Sequence, residues 1–246
     1  MYVSTLLINV GINPDRPRPG RLWLRNRYRV HQRLCMAFPS ESRISEDADF
    51  LKPFKPEDFG SNQVHVTRGP DAGFLYRIDP LAGGGVVILV QSAAKPNWGY
   101  AFCNADHLLA APPEVNFPAF SFSLEQHLRF RLVANPTRKI DTKSGPDGCR
   151  RNGKRVPVRT NELYNWLARR ADPAGFSIDR DSTAVQAGYI YVNKTSDGPG
   201  QRLRSVRYDG ILKITDPAHF QESLICGIGP AKAFGFGLLS VAPVKP

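Results

Sequence analysis

Leu128-Arg129-Phe130-Arg131-Leu132 alternates apolar and basic residues at period two and runs on into Val133-Ala134. That alternation predicts a half-buried strand with a cationic outer face. Downstream, Pro136 to Arg159 holds eight basic residues against two acidic ones and is punctuated by Gly145, Pro146, Gly148 and Gly153, the composition of a basic loop rather than a core element. Thr160 is then placed to cap a helix running to about Arg170, with Leu163, Trp166 and Leu167 on its apolar face. Strands are expected over Phe176 to Val192 and Val206 to Ile214. A helix opened by Asp216, in which Phe220, Leu224 and Ile225 can face a sheet, and a closing strand from Phe236 to Val241 complete the half. The order is β-α-β-β-α-β, the split-βαβ or ferredoxin-like arrangement.

The first half repeats the beginning of that order. Residues 2–10 are apolar and β-rich, and Gly11 to Gly20, with Pro14, Pro17 and Pro19, supplies turns. A helix is expected from Asn26 to Phe38, stopped by Pro39, whose missing amide and restriction of the preceding residue end it. Ser40 to Pro70 reads as a polar surface connector. Phe74 to Asp79 and Val86 to Gln91, separated by Gly83, Gly84 and Gly85, form a hairpin signature. Lys95 to Pro118 is irregular, with a short helix around Asp106 to Ala110, so the half ends in degraded form. No sequence repeat is detectable. Element order alone implies an α+β chain of tandem ferredoxin-like (RRM-like, split βαβ) domains, residues 1–121 and 122–246.

Within the helix after residue 26, at about 100° per residue, Val30, Leu34, Ala37 and Phe38 share one stripe, and Tyr28, His31 and Cys35 share its flank. Tyr28 and His31 thus stand i, i+3 beside a buried seam. Between Arg16 and Arg33 lie seven arginines and no acidic residue. An imidazole that titrates near neutrality, a phenol one turn away and a cationic setting suit chemistry on a phosphodiester. The same spacing on an arbitrary helix also serves packing or surface residues.

The 246 residues carry a formal charge of +11 and a pI near 9.7, with the basic excess concentrated in blocks, which favours a polyanionic partner. Nucleic acid is favoured over a membrane, because no amphipathic basic helix with an exposed aromatic face accompanies the charge. No apolar run approaches spanning length, and the first ten residues read as a strand, not as a signal peptide. The cysteines, Cys35, Cys103, Cys149 and Cys226, form no CxxC pair, which argues for reduced thiols in a cytoplasm and against structural zinc. His65, His107, His127 and His219 show no metal-ligand spacing with Cys103 or their neighbours, so neither metal nor other cofactor is expected.

Gly227-Ile228-Gly229-Pro230-Ala231-Lys232-Ala233-Phe234-Gly235-Phe236-Gly237 is unsuited to a mononucleotide loop, since Ala233 follows Lys232 and the segment leads from helix to strand. It remains either a loop of minimal bulk that brings backbone amides and Lys232 to a nucleic-acid backbone, or a helix stop at Gly227 followed by a tight turn.

Five segments in register resemble the CasE family, the CRISPR repeat-processing endoribonucleases of type I-E systems. They are the opening strand, the Tyr28-x-x-His31 helix ending in Ala37-Phe38-Pro39, Phe130 to Thr137, Tyr208-Asp209-Gly210 through Thr215-Asp216-Pro217, and the glycine-rich end. The resemblance covers essentially the whole chain. It implies a RAMP protein of two ferredoxin-like domains that binds the CRISPR repeat stem-loop, cuts precursor CRISPR RNA without a metal, retains the product and works with other subunits of the Cascade complex. It places the catalytic histidine on His31, the tyrosine on Tyr28 and the glycine-rich loop on Gly227, Gly229, Lys232, Gly235 and Gly237. Gly11 to Arg21, the connector after Pro39 and Lys139 to Gly153 follow no pattern of the family.

Metal-free RNA cleavage uses the ribose 2′-hydroxyl as nucleophile and leaves a 2′,3′-cyclic phosphate and a 5′-hydroxyl. His31 suits one proton transfer, as base or acid. Tyr28, a weak acid with an ordinary pKa of about 10, suits orienting the nucleophile or the phosphate. Lys232 or Arg27 can stabilise the phosphorane. An A-form stem is held mainly through phosphates and shape, and Arg138, Lys139, Arg150, Arg151, Lys154, Arg155 and Arg159 form the expected phosphate surface. The alternatives are a non-catalytic RAMP scaffold that only binds RNA and a metal-dependent nuclease, which the sparse carboxylates around Tyr28 and His31 disfavour.

Overall fold

A computed structural model describes residues 1–11, 18–38, 73–140, 155–193 and 200–244. In the first half β1 (Tyr2–Ile8) lies between β3 (Val86–Ser92) and β4 (Glu114–Asn116), and β2 (Phe74–Pro80) pairs with the far side of β3. Every pairing in this β2-β3-β1-β4 sheet is antiparallel. β3 therefore separates β1 from β2, as a split βαβ unit requires. The first crossover carries α1 (Pro19–Arg25) and α2 (Arg27–Cys35), and the second only α3 (Trp98–Ala101) and a 3-10 turn, Asp106–Leu108. Leu6, Ile8, Val30, Leu34, Tyr76, Ile88 and Val90 form the core between sheet and helices. β4 went unread in the sequence because its three residues are all exposed and show no apolar alternation.

The expected turn before residue 26 contains α1. Pro19 occupies its first turn, where a missing amide is harmless. Gly20 is there for close approach and not for turning, since a Cβ would lie 2.2 Å from the Asn9 carbonyl. The helix expected up to Phe38 is shorter. Asn26 caps it, α2 ends at Cys35, and a turn carries Met36 to Phe38. Pro39 and the Ser40 to Pro70 connector lie outside the described residues.

The second half contains β5 (His127–Ala134), a hairpin of β6 (Thr137–Lys139) and β7 (Arg155–Pro157), α4 (Leu163–Ala171), β8 (Phe176–Ile178), β9 (Ala184–Val192), β10 (Gln201–Ile214), α5 (Pro217–Cys226) and β11 (Leu239–Pro243). The sheet order is β11-β5-β10-β8, with β9 also on β10. Both halves thus have the ferredoxin-like strand order, and the fold is a tandem ferredoxin-like one. Leu132, Phe176, Tyr208, Leu212, Ile214 and Phe220 fill the second core, each large apolar side chain stabilising by about 1.5–3 kcal/mol.

Five expectations are corrected here. The strand over Phe176 to Val192 is two, because Asp179 builds a turn between them: its side chain accepts from Ser182 N at 2.9 Å and its carbonyl from Thr183 Oγ1 at 2.5 Å. β10 starts earlier, at Gln201, and pairs with β9 over Gln201 to Asp209 and with β8 over Leu212 to Ile214. Thr160 caps nothing; it opens a 3-10 turn, and its hydroxyl accepts from Arg204 at 2.7 Å. Ile225 is 42% exposed, because Phe220 and Leu224, four residues apart, already form the inward stripe of α5. The last strand begins at Leu239, since Gly237 at φ 89° leaves the extended region.

The halves are joined by buried polar contacts. Arg77 on β2 pairs with Asp79 and donates to the Arg131 carbonyl at 3.2 Å and to Ser240 Oγ at 2.6 Å. Gln91 on β3 donates to the Leu224 carbonyl. No helix among the described residues is long and apolar enough to cross a membrane.

Candidate active site and nucleic-acid interface

Asn26 starts α2 by accepting from the amides of Tyr28 at 3.1 Å and Arg29 at 3.4 Å. The cap sets the phase of the helix, so that Val30 and Leu34 enter the core and His31 follows on its edge. His31 is 4% exposed. Its ring stacks on Phe74, with centroids 5.5 Å apart, and on Tyr76, at 6.4 Å. Cys35 Sγ lies 3.6 Å from Nε2. The imidazole is thus fixed in orientation by aromatic faces from β2, and Tyr28, one turn earlier, is partly exposed.

The glycine-rich end folds back onto this helix. Its 3-10 turn, Lys232–Phe234, lies against α2 and β2. Tyr76 Oη is 3.1 Å from both the Arg27 carbonyl and the Ala233 carbonyl, so one phenol spans the two segments that sequence reasoning singled out separately. Gly235 has φ 82°, and a Cβ there would stand 3.0 Å from the Tyr76 ring. The helix-stop reading describes Gly227, which terminates α5 at φ 71°. The amides of Gly227, Ile228, Gly235 and Gly237 donate to Ser223, Gly237, Lys232 and Val133 carbonyls, so these donors already have partners inside the chain. Lys232 Nζ donates to the Cys226 carbonyl.

The arginines divide. Arg33 is structural, donating to the Ala101 carbonyl at 3.0 Å and to Asn104 at 2.9 Å. Arg27 is partly buried; burial lowers its pKa, opposed by Tyr76 and Asp79. Arg21, Arg25 and Arg29 are exposed, the first two on the same face of α1. Arg21 and Arg25 are not singled out in the sequence because their segment reads as a loop; Pro19 just before the Arg21/Arg25 spacing is the available signal. Arg138, Lys139, Arg155 and Arg159 are exposed, and Lys139 stands directly opposite Arg155 on the β6–β7 hairpin. Like charges opposed in a ladder destabilise it unless a polyanion lies across them. Arg150, Arg151 and Lys154 lie outside the described residues. Among the described residues, no three His, Cys, Asp or Glu side chains are grouped to hold a metal ion.

The family described as CRISPR associated protein matches residues 1–243. The chain belongs to this CRISPR-associated family. The CRISPR-associated endoribonuclease Cse3 of Thermus thermophilus is 32% identical over 192 residues, which cover 72% of this chain and 85% of the relative. The CRISPR system Cascade subunit CasE of Escherichia coli K12 is 26% identical over 252 residues, 99% of this chain and 100% of the relative. A structure of Cse3 bound to a 19 nt RNA superposes with a TM-score of 0.68 at 29% identity, covering 99% of this chain and 100% of that one. A second, of Thermus thermophilus Cse3 with an RNA representing a pre-cleavage complex, gives 0.65 at 26% identity and 98% of each chain. The expected kinship with CasE is borne out. In this family member α2, the glycine-rich loop and Tyr76 form one contiguous cluster.

Proposed function

We propose that the chain is a metal-independent endoribonuclease that binds the stem-loop of a CRISPR repeat and cuts precursor CRISPR RNA. The observation that carries this reading is the α2 cluster: an oriented imidazole beside a phenol, with the glycine-rich loop and Lys232 packed against the same helix. The 2′-oxygen attacks the adjacent phosphorus in line, its proton leaves, and the departing 5′-oxygen takes up a proton, giving a 2′,3′-cyclic phosphate and a 5′-hydroxyl. His31 performs one of these two transfers, Tyr28 orients the 2′-hydroxyl or the phosphate, and Arg27 or Lys232 stabilises the phosphorane. Exposed Arg138, Lys139, Arg155 and Arg159, joined by Arg21, Arg25 and Arg29, hold the phosphates of the stem. The names of the relatives support an RNA substrate and a place beside other Cascade subunits; on this reading the product stays bound. The free thiols of Cys35, Cys103 and Cys226 support a cytoplasmic setting. Two domains divide near residue 121, between β4 and β5.

A second reading, a RAMP scaffold that binds RNA without cutting it, draws on the burial of His31 among Phe74, Tyr76 and Cys35, which also describes a packing residue. The enzyme reading requires docked RNA to reach the ring edge beside Tyr28, and apo geometry commonly tightens only in the complex. The test is single-turnover cleavage of a repeat stem-loop in EDTA, with wild type, His31→Ala and an RNA carrying a 2′-deoxy residue at the cut. Cleavage by wild type, a loss of about 10²–10⁴-fold in His31→Ala with binding retained, and no cut in the deoxy RNA support the enzyme. Tight binding with no cut in any RNA establishes the scaffold.

A further inference from the structure

The β9–β10 ribbon carries an aromatic and cationic surface that the reaction above does not use. We propose that Tyr189, Tyr191 and Arg202 form a stacking platform for unpaired nucleotides flanking the stem-loop; this rests on the RNA-binding reading. In the antiparallel register Tyr191 faces Arg202 and Tyr189 faces Arg204, so all four share one face of the ribbon. On that same face Val206 and Tyr208 are buried, and Trp166 of α4 stacks on the Tyr208 ring. Arg204 marks where the cover ends: its guanidinium donates to the Val158 carbonyl at 2.8 Å and to Thr160 at the start of the helical segment. Beyond it Tyr189 is 49% and Tyr191 65% exposed, with the Arg202 guanidinium 3.6 Å from the Tyr189 ring centroid.

Exposed tyrosines are not explained by folding. Two at alternate positions on one strand present faces at the spacing of one side of a ladder, and a guanidinium plane on an aromatic ring stacks bases as readily as it stacks the ring. Charge selects the occupant. Ala184 to Val192 and Gln201 to Asp209 contain three arginines and one carboxylate, Asp209, which pairs with Arg207 at 2.7 Å on the opposite face. The face of Tyr189 and Tyr191 thus carries Arg202 and Arg204 and no acidic side chain. Arg204 links the ribbon to Val158, next to Arg159 and β7 of the phosphate surface. β9 also touches α2. A strand leaving the duplex held by the basic tract therefore meets the platform on its way to or from the His31 helix. Unpaired bases offer the π-faces this requires, whereas a duplex keeps them stacked internally.

The test compares wild type with Tyr189→Ala/Tyr191→Ala on a repeat hairpin alone and on the same hairpin with a short unpaired tail at its 5′ or 3′ end. Affinity is read by anisotropy, and stacking by quenching of 2-aminopurine placed in the tail. Wild type is expected to bind one tailed RNA more tightly and quench its probe. The double variant should lose about 10- to 100-fold on that RNA, lose the quenching, and bind the bare hairpin as wild type does. Tyr189→Phe/Tyr191→Phe, which keeps the rings, should restore both. Equal weakening on bare and tailed hairpins, or unchanged quenching, overturns the platform. So does a double variant that binds both RNAs normally and fails only to join partner proteins, which would make the ribbon a protein-docking surface. If wild type binds no hairpin at all, the RNA-binding reading fails before the platform is reached.

Discussion

The Tyr76 hydroxyl has one proton and two carbonyls at 3.1 Å, so it donates to Arg27 or Ala233 at any instant and holds both within reach. Burial raises its pKa well above the ordinary tyrosine value, with Arg27 opposing and Cys35 adding to the rise, so it stays a neutral donor at every working pH. Removing only the oxygen isolates this role. Tyr76→Phe keeps the ring beneath His31 and the core volume but leaves a carbonyl without its donor, and should lower stability to urea by about 1–3 kcal/mol. With the glycine-rich loop released from α2, single-turnover cleavage should fall severalfold while affinity for the hairpin changes less. Equal losses in rate and affinity would show that Tyr76 supports the fold alone. Tyr28 and His31 could be read from spacing because both sit on one helix. Tyr76 could not, because its partners are 49 and 157 residues away and an apolar strand shows no sign of them.

At the scale of elements, α5 shows how a cap becomes pH-sensitive. Asp216 accepts from the amides of Ala218 at 2.9 Å and His219 at 3.1 Å, and its other oxygen lies 2.7 Å from His219 Nδ1. The hydrogen bond with His219 is the main cause that lowers the Asp216 pKa, and the same bond raises that of His219. The lowered carboxylate stabilises the fold above its ordinary pKa of about 4 and loses this as pH falls through the folded value. The raised imidazole stabilises below its ordinary pKa of about 6.5 and loses this as pH climbs through the folded value. Both contributions are present between about pH 4 and 6.5. His219→Gln should therefore lower the urea midpoint most near pH 5 and hardly at all near pH 9, by a small amount because the pair is exposed; an equal deficit at both would exclude the ion pair. Asp216-Pro217 announced this helix in the sequence, since capping and proline act locally. α1 stayed hidden because Pro17 to Gly20 reads as a turn until Asn9, eleven residues away from Gly20, is seen to require a glycine there. The break between β8 and β9 was hidden for a related reason: Asp179 to Thr183 satisfies its own polar groups, while its flanks keep strand composition.

Across the whole molecule, the site depends on how two similar folds are held against each other, because α2 belongs to one half and the glycine-rich loop to the other. Arg77, 5% exposed, is a polar link between them, alongside Gln91 and Tyr76. Its Nε bonds both oxygens of Asp79 at 2.9 Å, and Nη1 reaches Arg131, Leu238 and Ser240 across the junction. A buried pair of this kind adds little over an apolar replacement of both partners, but losing one partner strands the other charge. Arg77→Met should consequently destabilise by about 3–5 kcal/mol, leaving Asp79 and the junction carbonyls without a donor. Arg77→Met with Asp79→Leu should recover much of that stability. Cleavage should not recover with it, because neither replacement restores the bonds that fix β5 and β11, and with them the loop at Gly235, relative to α2. Recovery of stability and rate together would mean that apolar packing alone registers the halves. Recovery of stability without rate would mean that Arg77 serves to aim the two halves, at no net gain in their cohesion.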